Sequence, residues 1–132
     1  MIAIYSALKN GYIAEEKFVL ECMEKDITVS KPISNTEPYD FIVENKNGKL
    51  LKIQVKKAWI DKKGRKIASL KSSYPRSKIR KVASKSERVD YICVYSDDGW
   101  YNIPRKEVEH IASNIADSKT GEYAKYLNKF AF

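Results

Sequence analysis

Four side chains carry the chemistry this 132-residue chain could perform: Glu15, Asp40, Gln54 and Lys56. Two carboxylates and an amide offer only oxygen donors. Such a set, without His or Cys, suits Mg²⁺, with Mn²⁺ as a substitute, rather than Zn²⁺. Magnesium keeps several waters when bound, and one of these can serve as a nucleophile. Lys56 follows Gln54 by two residues, so an extended backbone puts its positive charge on the same side. The intervals are 25 residues from Glu15 to Asp40, 14 to Gln54 and two to Lys56. Only folding can bring the four together. A polar strand face beside water is the ordinary alternative for a lone Gln-x-Lys, and the inward-facing Glu15 together with the basic flank argues against it here.

A helix and a hairpin must do the positioning. Ser6 to Lys25 reads as a helix: at about 100° per residue, Leu8, Tyr12, Phe18, Val19, Cys22 and Met23 form one apolar stripe, with Lys9, Lys17, Glu21 and Glu24 outside it. Glu15 lies near the middle of that stripe. An unpaired buried carboxylate is strongly disfavoured, so the stripe predicts a cation beside Glu15 or a protonated side chain. A structural pairing with a lysine or a backbone group is the alternative, and Glu16 is the alternative residue should the helix be phased differently. Ile27 to Val29 is β-prone, and Lys31 to Pro38 is a turn-rich connection. Tyr39 to Glu44 reads as a strand, Asn45-Lys46-Asn47-Gly48 as a hairpin turn, and Leu50 to Trp59 as the antiparallel partner. Alternation separates Leu51, Ile53 and Val55 from Lys52, Gln54 and Lys56, and the returning strand brings Gln54 to Lys56 level with Asp40.

Charge locates a second feature. The net charge is +8, but residues 46–88 alone hold sixteen Lys and Arg against Asp61 and Glu87, a local net of +14. A positive excess confined to the central third predicts a face for polyanions, the other reading being a solvated surface. Residues 61–88 are too long for an ordinary connection, with a short strand near Ile67 to Leu70 and a helical turn after Pro75 as their predicted structure. Val89 to Tyr95 is the strongest strand, and Trp100 to Ile103 follows a turn at Asp97-Asp98-Gly99. Pro104 predicts a helix running to about Ile115, and a last helix is expected from Glu122 to Lys129. The order is that of an α/β layered sheet with helices packed on it.

An apolar content of 43% suffices for one core, and the length suits a single domain spanning residues 1–132. No apolar run is long enough to span a bilayer, and Met1 to Tyr5 lacks the features of a signal peptide. Cys22 and Cys93 lie among apolar residues and read as reduced core side chains, which points to a cytoplasmic protein. His110 has no metal-spaced partner and reads as a surface or satisfied residue.

Gly11-x-x-Ala14-Glu15, Pro38-Tyr39-Asp40 and Gln54-Val55-Lys56, in that order, resemble the PD-(D/E)XK nuclease superfamily, and within it the branch containing a group I intron homing endonuclease. Archaeal-type Holliday junction resolvases are more distant cousins. Val89-Asp90-Tyr91 to Tyr95 and Tyr101-x-Ile103-Pro104 are similar to that branch too, so the resemblance spans roughly residues 11–105. One departure stands out: the superfamily's usual strand acid is replaced by Gln54, a variant for which the homing branch is known. An amide oxygen still ligates a hard cation but removes a negative charge, which Glu15 would restore.

The resemblance implies a restriction-endonuclease-like mixed β-sheet flanked by helices, and a Mg²⁺-dependent endonuclease acting on double-stranded DNA at a specific site. It implies that Glu15, Asp40, Gln54 and the carbonyl of Val55 hold the metal, with Lys56 as base or electrostatic stabiliser. Neighbouring carboxylates oppose the fall in pKa that a basic lysine needs, which favours the stabiliser. Lys57, Lys62, Lys63, Arg65, Lys66, Lys71, Arg76, Lys78, Arg80 and Lys81 are the expected DNA contacts, the arginines being the better candidates for reading guanine. Cutting both strands calls for a homodimer or homotetramer. Tyr123, Tyr126, Leu127, Phe130 and Phe132 would suit such an interface but read first as core. A junction resolvase and a non-catalytic basic nucleic-acid-binding module are the alternatives.

Overall fold

The computed structural model describes residues 2–34, 36–71, 83–111 and 113–132. Helix α1 (Ile2–Glu24) leads into β1 (Thr28–Ser30), β2 (Phe41–Glu44) and β3 (Leu50–Lys57). The chain then forms β4 (Trp59–Ile60) and β5 (Lys66–Ser69), returns through β6 (Tyr91–Ser96) and β7 (Gly99–Pro104), and adds β8 (Asn114–Asp117). The main sheet has the order β1-β2-β3-β6-β7, and a small second sheet the order β4-β5-β8. All neighbours are antiparallel except β3 and β6, which run parallel with Ile53 level with Tyr91. A parallel pair needs a long crossover. The basic insert at 61–88 is most of that crossover, and this is why the connection is so long.

The β2–β3 hairpin turns at Asn45, whose side chain accepts the backbone N–H groups of Asn47 and Lys49, both at 2.9 Å. Gly48 adopts φ +80°, a conformation that glycine alone takes without strain. The register sets Phe41 opposite Ile53 and therefore Asp40 level with Gln54. Phe41, Val43, Leu51, Ile53 and Val55 turn their side chains toward α1, where Ala14, Phe18 and Cys22 complete one core cluster together with Cys93 and Trp100. Ile92, Val94, Tyr101 and Ile103 head a second cluster with Ala68 and Leu70 from the β5 region, and with Val89, Val108, Ile115 and Tyr123. Two apolar layers thus sandwich the main sheet. Both cysteines are free and buried. No helix among the described residues is long and apolar enough to cross a membrane.

The structure departs from expectation at three places. On α1 the sheet-facing residues are Ala14, Phe18 and Cys22, while Leu8, Tyr12 and Met23 of the predicted stripe are exposed. The predicted helix from Pro104 is a single 3₁₀ turn, Arg105–Val108, followed by β8. Val108, Ile111 and Ile115 have helical spacing, but Ile115 is instead buried on a strand that pairs with β5. Arg105 is buried and donates to the carbonyls of Val89 at 2.8 Å and Ser84 at 3.3 Å, anchoring the turn. The last predicted helix is also only a 3₁₀ turn, Ala124–Tyr126. Its apolar residues are core: Tyr123 is buried, Tyr126 and Leu127 pack on its cluster, and Phe130 and Phe132 pack on the α1 side.

Candidate active site

Asp40 lies immediately before β2, and its own N–H donates to the carbonyl of Ile53 at 2.8 Å, extending the hairpin ladder by one rung. That rung aims its carboxylate at β3. Asp40 Oδ2 accepts the backbone N–H of Val55 at 2.8 Å and the side-chain Nε2 of Gln54 at 3.0 Å. The same Nε2 lies 3.4 Å from the carbonyl oxygen of Val55. One amide NH₂ group therefore sits between an anionic oxygen and a carbonyl oxygen, both turned toward it. Gln54 is buried, so its amide is held against these partners rather than against bulk water.

Electrostatics tie the helix to this cluster. Burial raises the Asp40 pKa, and the Val55 N–H, Lys56 and Lys31 pull it back. Glu15 is half-buried, and its pKa is raised first by burial and next by the negative charge of Asp40, with Lys31 opposing. The charge of Asp40 thus reaches Glu15 across the gap between the hairpin and α1. Glu16 is exposed.

Lys56 Nζ donates to the carbonyl of Lys71 at 2.7 Å, tying β3 to the segment after β5. Burial lowers the Lys56 pKa, and Asp40 opposes that fall, as expected of a neighbouring carboxylate. Lys31 is the residue the sequence reading missed. It follows β1, is exposed, bears on both carboxylates, and places its Nζ 6.0 Å from the ring of Phe41, the neighbour of Asp40. Only the pairing of β1 with β2 brings it there, and nothing in its local sequence signals this.

Of the expected DNA contacts, Lys57, Lys62, Lys63, Arg65 and Lys71 are exposed. Lys62 and Lys63 occupy the β4–β5 turn, while Arg65 Nε is paired with Asp61 at 2.8 Å. Lys66 is otherwise engaged: its Nζ bridges Asp97 Oδ1 at 2.8 Å and Asp98 Oδ2 at 2.7 Å, so its charge is already matched. Arg76, Lys78, Arg80 and Lys81 lie outside the described residues.

The donor set fits a hard divalent cation in type: two carboxylates, one amide and one backbone carbonyl, all oxygen once the Gln54 amide is turned about its last bond. Among the described residues no three or more His, Cys, Asp or Glu side chains are grouped to hold a metal. The amide and the carbonyl are therefore integral to any metal site here.

The family model for the PD-(D/E)XK endonucleases matches residues 5–132, nearly the whole chain. This chain belongs to the PD-(D/E)XK endonuclease family. It is accordingly a DNA endonuclease, a phosphodiester hydrolase, and members of the family generally use divalent metal ions. A search of curated proteins finds no match. Among solved structures, a bacterial homing endonuclease, I-Ssp6803I, superposes with a TM-score of 0.72 at 20% identity, over 88% of this chain and 84% of that one. At that identity the likeness establishes the shared restriction-endonuclease-like fold.

Proposed function

We propose that this chain is a Mg²⁺-dependent, site-specific endonuclease of homing type that hydrolyses double-stranded DNA as a homodimer or homotetramer in a reducing cytoplasm. Residues 1–132 act as one nuclease domain, with basic residues of the insert at about 61–88 supplying phosphate contacts. The observation that carries this reading is the convergence of Asp40 Oδ2, the Gln54 amide and the Val55 carbonyl at one point, with Glu15 coupled to Asp40. Gln54 in place of the family's usual acid supports the homing branch over the resolvases.

Glu15, Asp40, Gln54 and the carbonyl of Val55 would hold the cation. When bound, it would lower the pKa of a coordinated water and offset charge on the scissile phosphate. Asp40 is held in place by its two hydrogen bonds and brings one full negative charge. Glu15 brings the second, which Gln54 cannot. Burial raises the pKa of both acids, and the charge of Asp40 raises that of Glu15 further, a cost that a cation relieves. Lys56 donates one N–H to Lys71 and keeps two for a phosphate oxygen, and as an ammonium it stabilises the negative charge that builds when water attacks phosphorus. Lys57, Lys62, Lys63, Arg65 and Lys71 supply phosphate contacts that give affinity without sequence reading.

The test incubates the protein with plasmid libraries and synthetic four-way junctions in Mg²⁺, beside Asp40→Ala and Lys56→Ala. Discrete fragments from wild type alone are expected. Cutting of junctions irrespective of sequence would make it a resolvase, and DNA binding without cleavage would leave a binding module.

A further inference from the structure

Helix α1 is apolar on two sides. Ala14, Phe18 and Cys22 face the sheet, yet on the opposite side Leu8 is 55%, Tyr12 64% and Leu20 56% exposed, with Ile13 beside them. With Lys9, Glu16 and Lys17 these residues form one continuous open surface along the helix. Single exposed apolar residues are ordinary, but a contiguous group of them along one helix face marks a surface that is covered in use. The charges are arranged in a particular way. Lys9 and Glu16, two turns apart, run down the middle of the stripe, flanked by Leu8 and Tyr12 on one side and Ile13 and Leu20 on the other. Neither forms an ion pair among the described residues, whereas Lys17 turns its Nζ to the ring of Tyr95 at 5.2 Å.

We infer that this face binds α1 of a second copy of the chain, antiparallel, about a two-fold axis passing between Tyr12 and Ile13. In that register Lys9 of each copy lies level with Glu16 of the other, and Tyr12 with Ile13, so the face complements itself in both charge and apolar contact. A two-fold interface requires this self-complementarity. The central charge pair also selects the register, because any slip leaves charges unpaired among apolar side chains. The inference gives a surface to the oligomer proposed above, and the two can fail separately.

Lys9→Glu and Glu16→Lys, singly and as an equimolar mixture, are compared with wild type by sedimentation velocity, with circular dichroism confirming the fold. Wild type is expected to associate, and each single variant to raise the dissociation constant about tenfold or more. The mixture is expected to recover wild-type association, since opposite charges then meet at both ends. Net charge alone predicts something different: with a chain at +8, Lys9→Glu would tighten association and only Glu16→Lys would weaken it. A monomeric wild type, variants that associate like wild type, or a mixture that fails to recover would each overturn the inference. If assembly persists in both variants, the oligomeric nuclease stands and its interface lies on another face.

Discussion

Asp117 gives the most quantitative prediction. It closes β8 opposite Lys66, is 3% exposed, and neither carboxylate oxygen has a hydrogen-bond partner among the described residues. Burial, with a smaller contribution from Asp98 and some relief from Lys66, pushes its pKa from 3.8 up to about 7. The unfolded chain ionises this group near pH 4, whereas the folded chain keeps the proton until about pH 7. Folding therefore takes up a proton between those values, and stability falls as pH rises until it levels off above the folded value. At about 1.4 kcal/mol per pH unit, the contribution lost between pH 4.5 and 8 is roughly 3 kcal/mol. Asp117→Asn removes the titration. Its buried amide lacks partners too, but that cost is the same at both pH values. Urea unfolding at pH 4.5 and 8 should show the variant gaining on wild type by roughly 3 kcal/mol between the two. An equal stability difference at both values would refute the reasoning and mean that Asp117 is solvated or paired.

Other outcomes follow from the site and its surroundings. Glu15→Gln should abolish plasmid cleavage while DNA affinity by fluorescence anisotropy stays within a few-fold, and Glu16→Gln should cut normally; the reverse pattern would reassign the helix phase. Replacing Lys62 and Lys63 together by Ala should reduce the slope of log K against log salt by about 2, one for each phosphate no longer neutralised, and an unchanged slope would place the DNA elsewhere. Gly99→Ala should destabilise by about 1–3 kcal/mol in thermal unfolding: φ there is +121°, and a Cβ would strike the Asn128 amide that accepts the Trp100 N–H at 2.9 Å.

Much of the site was legible because its parts are local or set by a hairpin. An Asx-type turn at Asn45 and strict alternation along β3 determine the register, and the register puts Asp40 level with Gln54. Glu15 could be singled out because an acid amid apolar residues is costly, even though the stripe used to find it mixes two faces: Phe18 and Cys22 turn to the sheet, Tyr12 and Met23 away from it. Periodicity reports apolar faces without saying how many there are. The C-terminal third was misread for a related reason. Pro104 is a good helix start and the spacing from Val108 to Ile115 is helical, but the edge of β5 offers backbone partners from Lys66 to Ser69, and β8 takes them. That edge comes from the crossover between parallel strands, a long-range fact. Lys31 and the engagement of Lys66 by Asp97 and Asp98 are of the same kind, being charges whose neighbours are set by sheet pairing rather than sequence proximity.

The central claim is that two acids and one neutral amide from distant parts of the chain share a divalent ion. Anomalous diffraction from crystals soaked in Mn²⁺ tests it directly. The account predicts one manganese peak bound by Glu15, Asp40, Gln54 Oε1 and the Val55 carbonyl, lost in Asp40→Ala. A peak elsewhere, or one at Asp40 with Gln54 still donating its Nε2 and Glu15 unligated, would contradict it.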